Sequence, residues 1–110
     1  MDETRTLVKN KIIVRVPLEK LSEYFRKQVC GGINWKGHLY PEDLVDLSEK
    51  VTGFLRRRGL YNGKESLEVE AWHYDFANDT LLLRYQHSNF PVALEGEPYR
   101  QYIYYGKIIR

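Results

Sequence analysis

Ser66-Leu67-Glu68-Val69-Glu70-Ala71-Trp72-His73-Tyr74 and Thr80-Leu81-Leu82-Leu83-Arg84-Tyr85-Gln86-His87 are two strand-like runs joined by Asp75-Phe76-Ala77-Asn78-Asp79. β-Branched, aromatic and aliphatic side chains suit a pleated, half-buried surface, and the joining residues are turn formers. The stretch therefore predicts a β-hairpin with a loop over 75–79. Setting Tyr74 opposite Thr80 places Trp72 against Leu82, Glu70 against Arg84 and Glu68 against Gln86 on one face. On the other face His73 meets Leu81, Ala71 meets Leu83 and Val69 meets Tyr85. An ion pair and an aromatic–aliphatic pair landing opposite one another is the pattern that stabilises a sheet.

Upstream of the hairpin the apolar period lengthens. Pro41-Glu42-Asp43 opens a helix, with proline in the first turn and carboxylates at the positive end of its dipole. Leu44, Leu47, Val51, Phe54 and Leu55 form its apolar stripe; Arg56-Arg57-Arg58 occupy its last turn and Gly59 caps it. An earlier helix is read from Leu18, Leu21, Phe25 and Val29, stopped at Gly31-Gly32. Residues 7–16 read as a strand ended by Pro17. Downstream, 88–98 is a connection with two prolines, Tyr99–Tyr105 a last strand, Gly106 a bulge and 107–110 a short continuation.

The element order is thus β-α-α-β-β-β. It predicts one α+β domain over residues 1–110, a two-layer sandwich with a four-stranded, mainly antiparallel sheet and both helices on one face. A chain of this length buries roughly two-thirds of its extended-chain surface, enough for a core without staples. The composition, 43% hydrophobic and 29% charged, is ordinary for a globular protein.

The predicted register assigns Val69, Ala71, Leu81, Leu83, Ile103, Ile12 and Val14 to the helix-covered side. The open side then carries Glu68, Glu70, Trp72, Tyr74, Leu82, Arg84, Arg100, Tyr102, Tyr104, Ile13 and Arg15. In a chain with nine Tyr, four Phe and two Trp, such a face has the Trp, Tyr and Arg bias of interface cores. It predicts a non-catalytic protein-binding module, regulatory in the manner of an inhibitor or adaptor. Trp72, Tyr74, Arg84, Tyr102 and Tyr104 would make the contact, with another protein or with a second copy in a homodimer.

Two other readings are carried alongside. A single-stranded nucleic-acid module would stack bases on the rings and hold phosphates with Arg15, Arg56, Arg57, Arg58 and Arg100. A net charge of only +2 and the carboxylates Glu68 and Glu70 on the same face argue against it. A small enzyme would assemble its site at the Trp35/His38 loop, with His38 beside a second titratable group.

The remaining chemistry is sparse. Cys30 is the single cysteine, so no intrachain disulfide forms, and a helix C-terminus beside it disfavours the thiolate. His38, His73 and His87 have no metal-ligand spacing, and Asp43, Asp46 and Glu49 at i, i+3 read as solvated surface. No glycine pattern cradles a phosphate, and no cofactor is expected. The opening Met1-Asp2-Glu3-Thr4-Arg5 lacks an apolar run, no stretch is long enough to span a membrane, and a cytoplasmic location is expected.

Overall fold

The computed structural model describes residues 7–8, 11–31, 37–87, 90, 93–94 and 100–108. The strands are β1 (Leu7–Val8), β2 (Lys11–Pro17), β3 (Val69–Asp75), β4 (Thr80–Gln86), β5 (Ala93–Leu94) and β6 (Arg100–Ile103), and the helices are α1 (Glu23–Cys30) and α2 (Pro41–Arg57). β3, β4, β2 and β6 form the main sheet in that spatial order, and β1 pairs with β5 in a separate two-stranded ribbon. β2–β4 and β3–β4 are antiparallel, whereas β6 runs parallel to β2. The architecture is α+β with both helices on one face of a mostly antiparallel sheet, in the expected main order. No described helix is long and apolar enough to cross a membrane.

The first helix begins later than its apolar spacing predicts. Leu18–Lys20 is a single 3-10 turn, and α1 starts at Glu23 behind the N-cap Ser22, whose hydroxyl accepts from the Phe25 amide at 3.4 Å. A Ser N-cap outcompetes continuation of the helix through it. Leu18 and Leu21 still enter the core, from outside the helix. α1 ends as expected at Gly31, in the left-handed region with φ 73°. α2 follows its predicted bounds closely, with Gly59 at φ 72° beyond it. The expected strand over 7–16 divides into β1 and β2, with 9–10 outside the described residues. Most of 88–98 also lies outside them.

The hairpin pairs one residue away from the expected register. Asp75, read as the first loop residue, is the last residue of β3 and pairs with Thr80. Its carboxylate accepts from the Ala77 and Asn78 amides (3.1 and 3.4 Å) and from the Asn78 side chain (2.7 Å), an Asx-type turn that winds the loop into Phe76–Asp79. Tyr74 therefore faces Leu81, Trp72 faces Leu83 and His73 faces Leu82. An irregularity between Val69 and Ala71, with Glu70 as the extra residue, then restores the expected Val69–Tyr85 pair.

The core lies between the sheet and the helices. Ile12, Val14 and Val16 of β2, Leu81, Leu83 and Tyr85 of β4, and Phe25, Leu47, Val51 and Leu55 of the helices are all fully buried. A polar chain threads it. The Thr52 hydroxyl donates to the Ser48 carbonyl at 2.6 Å and accepts from the Leu67 amide at 2.9 Å, and Ser48 Oγ lies 3.3 Å from the Tyr85 hydroxyl. Burial pushes the Tyr85 hydroxyl above the ordinary tyrosine range, with the Ser48 contact opposing it. Asp43 is not solvated surface: it is fully buried, accepting from Tyr24 Oη at 2.9 Å and from the Tyr40 amide at 3.1 Å, and so ties α1 to the start of α2.

Two outcomes follow from these contacts. Thr52→Val strands the buried Leu67 amide, and chemical denaturation should show a loss of about 1–3 kcal/mol. Hydrogen bonds from Asn78 hold the Asp75 carboxyl below its usual range, with Arg15 contributing less. A depressed native pKa adds stability above the unfolded value and loses it as pH falls through the folded one. Asp75→Asn keeps the turn without titrating, so its melting temperature should fall less steeply than wild type below about pH 4. Parallel curves would remove this role.

Candidate functional site

The shifted register changes which side chains share the open face. Partners on neighbouring strands point the same way, so two rows cross the sheet from β3 to β6. One is Ala71, Arg84, Ile13 and Gln101; the next is His73, Leu82, Arg15 and Ile103. Apolar and polar side chains alternate along and between the rows. Ala71, Ile13 and Leu82 are half-buried and Ile103 is 43% exposed, with a shallow depression of about 120 Å³ lined by Ile13, Ala71, Trp72, His73, Leu82 and Arg84.

Charges on this face are ordered. Arg84 Nε donates to Glu70 at 2.9 Å, and Lys11 Nζ lies 3.7 Å from the other Glu70 oxygen. Arg15 donates to Gln101 at 2.8 Å and sits 3.8 Å from Asp75. The face therefore has two guanidinium groups near its middle and its carboxylates along the β3 margin. The expected Glu70–Arg84 pair forms because the bulge turns Glu70 to the open side.

The rings go elsewhere, which corrects the expected aromatic face. Trp72 and Tyr74 share the helix-bearing side with Leu83 and Leu81, because the Asx turn displaces both by one residue and a strand has period two. Tyr102 aligns with Val14 through the parallel register of β6 and is half-buried, while Tyr104 is 3% exposed. Conversely Ala71 and Ile103, expected under the helices, are on the open face. Of the five expected contact residues, Trp72 and Tyr74 lie together on β3, Tyr102 and Tyr104 lie at the opposite edge, and Arg84 alone faces outward from the open side.

The displaced rings take local partners. Tyr74 donates to Asp79 at 2.7 Å and its ring lies 4.4 Å from that of Phe76. The Asp79 bond, with smaller effects from burial and the nearby Cys30 thiol, raises the Tyr74 hydroxyl above its ordinary range. Tyr104 packs on Phe54 at 5.1 Å, and burial raises its hydroxyl against the opposing charge of Arg57.

The arginine triplet is equally occupied. Arg56 grips the Gly63 carbonyl at 3.1 and 2.8 Å and that of Glu65 at 3.2 Å. Arg58 lies over Phe54 and Tyr105, 4.9 and 5.5 Å from their ring centres. Arg56, Arg57 and Arg58 stand in the helical layer, Arg15 on the open sheet face, and Arg100 is exposed at the start of β6 beside Ile12. Arg15 thus stands on the side of the sheet opposite Trp72, whereas Arg57 and Arg58 lie near Tyr104 and Tyr105.

Trp35 lies outside the described residues. His38 is exposed; its amide donates to the Gln28 carbonyl at 2.8 Å, and its ring meets that of Tyr40 edge-on at 4.5 Å without a side-chain hydrogen bond among the described residues. His73 is on the open face, and His87 packs against Tyr61 and Phe90. Among the described residues no group of three His, Cys, Asp or Glu side chains is disposed to hold a metal ion.

The expected face already included Ile13, Leu82, Arg15, Arg84 and Glu70. It missed Ala71, His73, Gln101 and Ile103. A signal for its apolar character lies in Ile12-Ile13-Val14 and Leu81-Leu82-Leu83, where unbroken runs put apolar side chains on both faces. The chain matches no family model, no curated protein and no solved structure.

Proposed function

We propose that the protein is a non-catalytic protein-binding module, of inhibitor or adaptor type, that makes its contact through the open face of the sheet. One observation carries this reading. An antiparallel sheet with a solvated face ordinarily alternates apolar-in with polar-out, yet Ile13, Leu82 and Ile103 occupy the solvent side beside Arg15 and Arg84. Arginine beside aliphatic side chains, with charged residues toward the margin, is the composition of a contact surface. The partner is another protein or a second copy of the chain. A reducing compartment such as the cytoplasm suits a single cysteine packed half-buried against the core.

The nucleic-acid reading draws less support, because stacking platforms need rings and cations on one surface and Trp72 and Arg15 lie on opposite sides of the sheet. Single-stranded DNA titrated at low salt tests it directly.

Leu82→Glu and Ile13→Glu place a carboxylate on the solvent side and should cost the fold no more than about 1 kcal/mol. Light scattering across concentration, with cross-linking in extracts of the native host, should show an association that both variants abolish at unchanged helicity. If wild type stays monomeric and captures nothing, or the variants keep the same partners, the open face is not the contact.

A further inference from the structure

Charge is segregated along this chain. Residues 50–64 and 100–108 hold seven Lys and Arg and no Asp or Glu, while the remainder holds ten against fifteen. The fold brings the two segments together. Phe54 of α2 packs on Tyr104, and Arg58 lies over the rings of both Phe54 and Tyr105. The segment beyond β6 is fixed at both ends. The Tyr104 amide donates to the Arg15 carbonyl at 2.9 Å; the Ile108 amide donates to Lys20 and the Ile108 carbonyl accepts from Ser22, each at 2.8 Å. Tyr105 stands out from this segment, 61% exposed.

Arg57 and Arg58 at the end of α2, and Lys107 on the fixed segment, are exposed, and no described carboxylate pairs with any of them. The rings take the flat face of the Arg58 guanidinium, but a stacked guanidinium keeps its N–H edges for other acceptors. Beside these cations lies a polar group without a partner. Tyr104 is 3% exposed, yet no described residue hydrogen-bonds to its hydroxyl. That hydroxyl lies within the field of Arg57, and a Cβ at position 106 would stand 2.9 Å from it. Any larger residue there would crowd the hydroxyl; Gly106 leaves it open. Packing against Phe54 has no use for the oxygen, and a buried donor left unpaired is costly.

We propose that the end of α2 and the 104–108 segment form a docking site for an acidic segment of a partner protein. One carboxylate of that segment accepts from the Tyr104 hydroxyl beside Arg57, and its neighbours meet Arg58 and Lys107. Arginine forks match the geometry of carboxylates, and Tyr105 offers an exposed ring to the aliphatic stems of acidic side chains. Nucleic acid is the other polyanion to weigh. It gains by stacking successive bases, and among the described rings of this patch Tyr105 alone is open to one. The site is built on the helical side of the sheet and does not rest on the open face.

Amide NMR titration at low salt tests the proposal with three probes of equal length: acetylated oligoglutamate, oligoglutamine and single-stranded oligothymidylate. Oligoglutamate should give saturable shifts centred on residues 54–60 and 104–108, oligoglutamine none, and oligothymidylate should bind more weakly. Tyr104→Phe removes only the unpaired hydroxyl, so it should weaken oligoglutamate binding by about fivefold while keeping or raising the melting temperature. Arg57→Gln and Lys107→Gln should each weaken binding by about threefold, whereas Arg15→Gln, which removes the same charge from the open face, should not. The proposal is overturned if oligoglutamate does not bind, if its shifts centre elsewhere, or if Arg15→Gln weakens it as much as Arg57→Gln. It is equally overturned if Tyr104→Phe folds and binds as wild type; should that variant unfold, the Arg57 and Lys107 variants decide. Tighter binding of oligothymidylate at the same residues would overturn it in favour of nucleic acid.

Discussion

The register of the sheet depends on the Asp75 carboxylate, because it sets where β3 stops and the turn begins. By gathering the Ala77 and Asn78 amides and the Asn78 side chain, it draws Asp75 into the ladder opposite Thr80. Every residue between it and the bulge then points to the side opposite from that of a five-residue loop. Since strand side chains alternate, a displacement of one residue exchanges the two faces completely. Trp72 and Tyr74 turn toward the helices, and Ala71 and His73 turn toward solvent. Glu70 absorbs the displacement, so Val69 and Tyr85 meet on the covered side.

That local choice agrees with the rest of the packing. Tyr85 reaches Ser48 of α2, and Thr52, one turn on, supplies the acceptor for the Leu67 amide that leads into β3. The helix thereby holds both the strand and the approach to its neighbour. At the other end, Asp43 joins Tyr24 to the first turn of α2. Buried polar groups of this kind contribute modestly when paired and are costly when left alone, so they specify one arrangement of helices on the sheet. The open face rests on that rigid base.

The functional proposals draw on what remains after structural partners are assigned. Arg56 and Arg58 hold a turn and stack on rings, and Tyr104 fills the space beneath α2. The open side keeps aliphatic side chains beside two arginines. That composition suits a flat protein contact.

Helix α2 was legible because its proline start, apolar stripe and glycine end all point to the same bounds. The strands of the hairpin and the element order were legible from residue type and punctuation. The faces were less so. Loop length decides register, and register depended on whether Asp75 joined the strand or the turn, which its side-chain hydrogen bonds determine. The parallel entry of β6 beside β2 likewise placed Tyr102 over the core and Ile103 outside, through a pairing far apart in the chain. Local patterning determined the helices, the strands and the unbroken apolar runs that put Ile13 and Leu82 on the outer side. The folded pairing decided that the rings do not join them, because a period of two makes each face sensitive to a single residue of offset.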